Sequence, residues 1–307
     1  FAESNLYSMR GAKGEFKVLM AKQNGVTSDH IAVGFGSGEI LKKGALMNGI
    51  DNGELVSPSL TFETINRYAK TMQSNVKRIP MDDNIGINLD RMASAVSQKT
   101  KLVYLCNPNN PTGQLMDSDD LESFCSEISK KATVFVDEAY HEYVMDPNYR
   151  SMIGLVKEGK NIIVSRTASK VHGLAGLRVG FAITTPEIAK RMESYLTDSL
   201  NIVGLRAAIA SYQDERFQAF SIEQNNRARK VVTDFLDEKG IQYLDSQSNF
   251  IFIKTGIQIS DFQPAMEKYG VIVGRPFPPY TDWCRLSMAK PEEMERFNHG
   301  FHQVLGW

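Results

Sequence analysis

Short apolar segments alternate with helix-forming segments along the first two thirds of this 307-residue chain. In the helix-forming segments, apolar residues recur at intervals of three and four, which is typical of helices that pack on one face. Strands that alternate with helices of this length predict an α/β fold, with a mainly parallel sheet covered by helices on both faces. In such sheets, ligands bind beyond the carboxyl ends of the strands. The predicted strands are HIAVGF (30–35), ELVSP (54–58), NVKRIPM (75–81), KLVYLC (101–106), TVFV (133–136), NIIV (161–164) and RVGFAI (178–183).

The last third of the chain has a different pattern. Residues 204–240 keep a helical spacing with few strong breakers, so we predict one long helical region there. A chain of 307 residues is long enough for two domains. We therefore predict a large domain over residues 1–215 and a smaller C-terminal α+β domain over residues 216–307. The strands predicted for the smaller domain are 248–255, 271–276 and 283–288.

The composition argues against several classes of function. With 35 basic and 36 acidic residues, the formal charge of −1 provides no broad field that would attract nucleic acid or an anionic membrane. The cysteines Cys106, Cys125 and Cys284 are odd in number and widely spaced, so we expect reduced thiols in a cytoplasmic protein. The histidines lack metal-ligand spacing, and no apolar segment approaches the roughly 20 residues that span a bilayer. We expect neither a metal site nor a membrane span.

Lys170 is a candidate nucleophile. It follows an apolar strand and the hydroxylated residues Ser165, Thr167 and Ser169, and it precedes a glycine-rich turn that leads to Arg178. An amine must be neutral part of the time to attack a carbonyl, and partial burial beside a second cation such as Arg178 would lower its pKa. The alternative is an ordinary exposed lysine in a loop, which is the commoner situation.

Polar residues also follow two other predicted strands. Asp137 and Tyr140 come just past VFV, where a buried carboxylate requires a cationic partner such as a protonated ring nitrogen. Asp137 could instead be a simple cap at the end of the strand. Asn109 and Asn110 precede Pro111 in NPNNPTG, a turn in which an Asn–Pro bond can be cis. A plain turn is the alternative, because Asn, Pro and Gly are common in all turns.

Three further segments contain candidate ligand-binding residues. Ser37 and Gly38 lie where a glycine-rich strand end meets a helix, so their backbone N–H groups could bind a phosphate. Phe62 could stack on a flat ring or simply pack beneath its helix. Arg285 lies within a strand-like segment, and its fork of donors suits a carboxylate or a phosphate. Arg275, on the preceding loop, is a second candidate, although a surface ion pair would explain it equally well.

Together these segments resemble a known family. The motifs GSGE, SPSLTF, NPNNPTG, VDEAY, TASK with GLAGLR, and CRLS are similar, in this order, to those of fold-type I pyridoxal-phosphate aminotransferases. The resemblance covers essentially the whole chain and is closest to the histidinol-phosphate aminotransferase branch. It implies pyridoxal 5′-phosphate as cofactor and ping-pong transfer of an amino group. The donor would be an amino acid or an amino phosphate similar to histidinol phosphate, and the acceptor a 2-oxo acid.

The resemblance also implies residue roles. Lys170 matches the lysine that binds the cofactor covalently and then moves a proton as general base and acid. Asp137 matches the partner of the ring nitrogen, and Tyr140 and Asn110 match the pair on the ring hydroxyl. The other matches are Ser37, Gly38, Thr167, Ser169 and Arg178 around the cofactor phosphate, Phe62 on the ring, and Arg285, Arg275 and Asn110 toward the substrate.

Two departures from the family pattern stand out. An acidic residue is usual where Gly38 stands, although the backbone amide is what would bind phosphate. The segment from Phe1 to Tyr7 is similar to one that reaches the partner subunit's cofactor, but Phe1 lacks the hydroxyl of the family's tyrosine. We expect a homodimer with shared active sites. Because the sequence starts without a methionine, we also expect the full protein to have a preceding arm.

Two other functions are compatible with the same cofactor residues. A decarboxylase of the phosphothreonine type would release carbon dioxide instead of exchanging an amine. A non-catalytic sensor with an aminotransferase-like domain would bind the cofactor, but such regulators also have a DNA-binding module. Nothing in this chain is basic enough for that module, so transamination remains the main prediction.

Overall fold

A computed structural model of the protein describes residues 10–49, 53–195 and 199–306. The strands in these ranges are β1 (Ile31–Phe35), β2 (Glu54–Pro58), β3 (Asn75–Ile79), β4 (Thr100–Cys106), β5 (Thr133–Asp137), β6 (Ile162–Thr167), β7 (Val179–Thr184), β8 (Tyr243–Leu244), β9 (Phe250–Lys254) and β10 (Trp283–Ser287). The α-helices are α1 (Arg10–Asn24), α2 (Ser37–Gly49), α3 (Thr64–Thr71), α4 (Leu89–Ala95), α5 (Ser118–Ile128), α6 (Ile153–Lys157), α7 (Pro186–Ser194), α8 (Ile202–Gln213), α9 (Glu215–Glu238), α10 (Ile259–Glu267) and α11 (Pro291–Leu305).

The first seven strands form one sheet in the order β1-β7-β6-β5-β4-β2-β3. Strands β3, β2, β4, β5 and β6 run parallel to one another, whereas β7 is antiparallel to both β6 and β1. The predicted α/β class with a mainly parallel sheet is confirmed. No helix within the described ranges is long and apolar enough to cross a membrane.

The apolar residues Val134, Phe135 and Val136 of β5 are explained by the burial of both faces of the sheet. Successive side chains of a strand point to opposite faces of the sheet. Val134 and Val136 pack into a core that includes residues of α1, α5, α6 and α8, while Phe135 packs into a second core with residues of α2 and α3. A strand covered on both faces needs apolar side chains at every position. On the Phe135 side α2 approaches so closely that a Cβ added at Gly44 would lie 2.8 Å from the ring.

The last third of the chain forms a separate antiparallel sheet in the order β10-β9-β8, with a core shared by α9, α10 and α11. Two details differ from the predictions. Residues 271–276 form no strand, and the predicted long helix is two helices, α8 and α9, separated at Asp214. The Asp214 carboxylate accepts from the Phe217 N–H at 3.0 Å and so caps α9, a role that Asp fills well. The boundary at residue 215 stays a prediction.

Two glycines allow the turn after β1 to pack against β7. Gly36 has a φ of +76°, a conformation that favours glycine. A Cβ added at Gly180 would lie 2.3 Å from both the Gly36 carbonyl carbon and the Ser37 nitrogen. Any larger residue at position 180 would therefore push this turn away from the sheet.

We expect Gly180→Ala to destabilise the protein by about 2–4 kcal/mol, because the added methyl group meets backbone atoms that cannot rotate away. The measurement is the urea unfolding midpoint of the cofactor-free protein. Gly154→Ala is the matched control, since nothing lies within 4 Å of a Cβ added there. The control should be neutral or stabilising by up to about 1 kcal/mol, because Ala is the better helix former. Equal midpoints for both variants would contradict the close packing at Gly180.

Candidate active site

Asp137 is the last residue of β5, and only 2% of its surface is exposed. Ser165 lies opposite it on β6 and donates from Oγ to Asp137 Oδ1 at 2.7 Å, while the Tyr104 hydroxyl lies 3.5 Å from Oδ2. Burial raises the pKa of Asp137 to about 6, and the Ser165 hydrogen bond and the charge of Lys170 oppose this rise. Both side-chain donors are neutral. Among the described residues, no cation forms an ion pair with this carboxylate.

Asn110 joins two candidate residues that are far apart in the sequence. Its Nδ2 donates to the Tyr140 hydroxyl at 3.0 Å, and its Oδ1 accepts from Arg285 Nη1 at 2.8 Å. Both Asn–Pro bonds of this turn, including the one after Asn110, are cis. Tyr140 is buried edge-on against Phe250, with ring centroids 5.0 Å apart, and burial raises the pKa of its hydroxyl. Because Asn110 follows β4 and Arg285 lies in β10, this amide links the two sheets.

Lys170 lies beyond β6, with Nζ 4.9 Å from the centre of the Tyr140 ring. Burial is the main cause that lowers the pKa of Lys170; Asp137 raises this pKa, and Arg285 lowers it. Arg178 also lowers it, but by less than Arg285. The sequence predicts Arg178 as the neighbouring cation. The more effective one comes from β10, which no local pattern could reveal.

Arg178 lies at the junction between the glycine-rich turn and β7, in the left-handed conformation with a φ of 57°. Its Nη1 donates to the Ala175 carbonyl at 2.6 Å and its Nη2 to the Phe35 carbonyl at 3.3 Å. A Cβ added at Gly36 would lie 2.5 Å from Nη2, so the guanidinium group lies directly against the turn that begins α2. The first N–H groups of a helix lack partners within the helix, and in α2 these belong to Ser37 and Gly38.

Two hydroxyl groups lie close together on the neighbouring strand end. Thr167, the last residue of β6, pairs in register with Gly180 of β7. Its Oγ1 lies 2.8 Å from Ser169 Oγ and accepts from the Ser169 N–H at 3.1 Å. On the other side of β7, Gly34 of β1 pairs with the same Gly180. The turn after β1, the end of β6 and the start of β7 therefore meet at one edge of the sheet.

A cleft of about 440 Å³ extends from Asn110 toward solvent. Phe62, exposed over 36% of its surface, lines it together with Arg275, Phe277 and Arg285. The Arg275 guanidinium lies 4.3 Å from the centre of the Phe277 ring. Arg285 Nε is buried without a hydrogen-bond partner in the part of the chain that the structure describes.

The structure thus places the predicted residues around one edge of the large sheet, in two adjoining regions. Asp137, Tyr140, Asn110, Lys170 and Arg285 form one region. The other contains Ser37, Gly38, Thr167, Ser169 and Arg178. The predicted role of residues 1–7 lies outside the described residues. Within the described ranges, no group of three His, Cys, Asp or Glu side chains could hold a metal ion.

Three contacts of this site are not predicted from the sequence. They are those of Ser165 and Tyr104 with Asp137 and that of Phe250 with Tyr140. The sequence indicates Ser165 only as a hydroxylated neighbour of Lys170. The alternation of side chains along β4 and β6 could have indicated the first two, since both strands pair with β5. Phe250 lies on β9, far away in sequence, and gave no local signal.

Comparison with known proteins identifies the family. Residues 4–300 match the family model described as aminotransferase class I and II. Histidinol-phosphate aminotransferase 2 of Pasteurella multocida (strain Pm70) is 33% identical over 95% of this chain and 80% of the relative. The chain belongs to the aminotransferase class I and II family. Histidinol-phosphate aminotransferase 2 of Haemophilus influenzae (strain ATCC 51907 / DSM 11121 / KW20 / Rd) is 34% identical, with the same coverage.

Solved structures agree with this family. A candidate histidinol-phosphate aminotransferase from Erwinia carotovora atroseptica SCRI1043 superposes with a TM-score of 0.94 at 31% identity, covering 99% of this chain and 89% of the other. The Sinorhizobium meliloti histidinol-phosphate aminotransferase, solved in complex with pyridoxal-5′-phosphate, has the same fold, with a TM-score of 0.90 at 23% identity over 99% and 84% of the two chains. The predicted fold, enzyme class and cofactor are confirmed: this aminotransferase depends on pyridoxal 5′-phosphate.

Asp137 gives a prediction about stability that needs no cofactor. A pKa raised from 3.8 to about 6 means that ionising this carboxyl group destabilises the folded protein by about 3 kcal/mol. This part of the stability is present below pH 4 and is lost as the pH rises through about 6. Cofactor-free Asp137→Asn should therefore be more stable than the wild type at pH 8 by up to about 3 kcal/mol, with a smaller difference at pH 5. The measurement is urea unfolding at both pH values.

Asp83→Asn is the control for this experiment, because Asp83 is an exposed aspartate whose side chain forms no hydrogen bond and no ion pair among the described residues. This control should not raise the free energy of unfolding at pH 8, whereas Asp137→Asn should raise it. If the Asp137 variant were equally or less stable than the wild type at pH 8, the negative charge of Asp137 would already be balanced by other groups in the cofactor-free protein, and the prediction would be wrong.

Proposed function

We propose that this aminotransferase takes its amino group from an amino acid or an amino phosphate similar to histidinol phosphate, and passes it to a 2-oxo acid by a ping-pong mechanism. The observation that carries this proposal is the buried Asp137 carboxylate, which lies near Lys170 and has no cationic hydrogen-bond partner among the described residues. The names of the relatives support the choice of an amino phosphate.

The cofactor phosphate would bind in the second region of the site. Arg178 supplies a fixed charge there, and the start of α2 supplies the backbone N–H groups of Ser37 and Gly38. Hydroxyl groups of Thr167 and Ser169 lie on the adjoining strand end. Because Gly36 has no side chain, the guanidinium group of Arg178 can approach the turn closely. These features fit a phosphate monoester.

Asp137, Tyr140, Asn110 and Phe62 are the residues that would hold the cofactor ring. Asp137 would accept a hydrogen bond from the protonated ring nitrogen, which is the cation that a buried carboxylate requires. The Tyr140 hydroxyl and the Asn110 amide would hold the ring oxygen, and Phe62 would stack on the ring. When bound, pyridoxal 5′-phosphate supplies a carbonyl carbon for the amine and a ring that accepts electrons from the substrate.

Lys170 has the properties of the covalent and acid–base residue. Burial lowers the pKa of Lys170, so a larger share of the amine is neutral near pH 7 and available to attack a carbonyl. The Nζ atom of Lys170 could then take the proton from the substrate's α-carbon as general base and return it as general acid. Asp137 would help by keeping the cofactor's ring nitrogen protonated.

Arg285 would bind the first anionic group of the substrate. Its Nη1 is already oriented by Asn110 at 2.8 Å, and its Nε is a buried donor without a partner within the described residues. An unpaired buried donor is costly, so a ligand oxygen that accepts from it is favoured. Arg275 is exposed and donates to the Pro276 carbonyl at 2.9 Å, so it is free to turn toward a second anionic group.

Sodium borohydride reduction of the cofactor-loaded protein should attach the cofactor to Lys170, as mapped by peptide mass spectrometry. Lys43 provides an internal control, because it is also buried and its pKa is also lowered by burial. A label on Lys43, or no label at all, would contradict the assignment. Lys170→Ala should abolish both labelling and amine exchange.

The substrate class is tested with the same preparation. Incubation with histidinol phosphate and 2-oxoglutarate should produce glutamate. A separate incubation with phosphothreonine, which has an α-carboxylate, tests the alternative: carbon dioxide from phosphothreonine without glutamate from the first incubation would indicate a decarboxylase. Cofactor binding with neither product would indicate a non-catalytic sensor.

We also propose a cytoplasmic homodimer whose subunits share their active sites, with residues 1–7 near the partner's cofactor phosphate. The resemblance of that segment to an interface segment supports the dimer, and the three free cysteines support a reducing compartment. Light scattering should give about twice the 34.4 kDa mass of one chain. A single-subunit mass for fully active enzyme would contradict shared sites.

A further inference from the structure

Arg67 on α3 lines the same cleft as Arg275 and Arg285, and the sequence analysis did not identify it. It is exposed, and among the described residues its side chain forms no hydrogen bond and no ion pair. Arg67 lies one helical turn after Glu63, whose carbonyl accepts from the Arg67 N–H at 2.9 Å. This spacing puts Arg67 and Glu63 on the same face of the chain.

The charges around this cleft are unbalanced. Glu63 is the carboxylate that lines the cleft, and it is already bound by Arg78, whose Nη1 and Nη2 donate to its two oxygens at 2.8 and 2.6 Å. Glu63 is therefore not available to neutralise Arg67. Arg275 is in a similar position, since it contacts a carbonyl and the Phe277 ring within the described chain.

Three guanidinium groups thus line one cleft without a free carboxylate among its described lining residues. Like charges repel one another, so such an arrangement favours a ligand with more than one negative charge. A single carboxylate at Arg285 would leave Arg67 and Arg275 without a partner. A phosphate monoester carries about two negative charges near pH 7 and has three oxygens that can accept from two arginine forks.

We propose that Arg67 is a specificity residue that binds the phosphate monoester of the substrate, together with Arg275. The inference rests on the proposed function and extends it to α3. Arg67 and Phe62 belong to the segment that leads from β2 into α3, whereas Arg275 and Arg285 belong to the part of the chain around β10. A phosphate bound by both arginines would therefore connect the two parts of the cleft.

The test compares substrates that differ only in the phosphate, namely histidinol phosphate and histidinol. Arg67→Gln should lower kcat/KM for histidinol phosphate about tenfold, mainly through KM, because Arg67 would contact the phosphate and not the reacting atoms. Activity on histidinol should change by less than about twofold. Arg67→Lys keeps the charge but loses the planar fork, so it should recover part of the loss.

Lys70→Gln is the matched control, because Lys70 is an exposed cation on the same helix that is not among the residues lining the cleft. It removes the same charge and should leave the preference for the phosphorylated substrate unchanged. If both variants lower activity equally, only the general field of α3 is involved and the proposal fails. Equal losses on the two substrates for Arg67→Gln would also overturn it.

A binding measurement separates this inference from the proposed function. Calorimetric titration of cofactor-loaded protein with butyl phosphate, which has no amine, should give a Kd about tenfold higher for Arg67→Gln than for the wild type. This result would support Arg67 even if histidinol phosphate were not a substrate. An unchanged Kd, or no binding by either protein, would refute the role of Arg67 whatever the enzyme transaminates.

Discussion

The arrangement of this site depends on the burial of one carboxylate, that of Asp137. A parallel sheet covered on both faces is apolar along its central strands, and β5 follows this rule until its last residue, Asp137. There the carboxyl group is excluded from water and receives only neutral side-chain hydrogen bonds within the described chain. Ionising this carboxyl group costs stability because burial raises its pKa. In the proposed function, the protonated ring of the cofactor would be the cation that compensates this cost.

The second constraint is that two sheets from different parts of the chain must meet at the same place. Asn110 follows β4 in the large sheet, and its amide binds Tyr140 on one side and Arg285 of β10 on the other. Arg285 in turn lowers the pKa of Lys170. The group that we propose to bind the substrate is therefore coupled electrostatically to the group that we propose to perform the chemistry. Occupation of Arg285 by an anion would weaken this effect and make the amine of Lys170 more basic.

The region around Arg178, Ser37 and Thr167 depends on close backbone packing as well as on charge. Gly180 permits the turn after β1 to contact β7, and Gly36 permits Arg178 to lie against that turn. Gly180 is required because a side chain there would meet backbone atoms. Gly36 is required because a side chain there would meet Arg178 and because its φ is positive. The start of α2, the end of β6 and Arg178 lie close together because these two positions lack side chains, and this closeness is what the proposed binding of one phosphate requires.

The sequence by itself determined the α/β class, because alternating strand and helix patterns are local, and it determined which strand ends have polar groups. Its motifs also indicated Lys170 and Asp137. Only the tertiary structure decided which cation lowers the pKa of Lys170 more. It also decided that residues 271–276 are not a strand and that Arg67 lines the cleft. These outcomes depend on contacts between residues far apart in sequence. Burial and electrostatic coupling follow distance in space, and no local pattern encodes that distance.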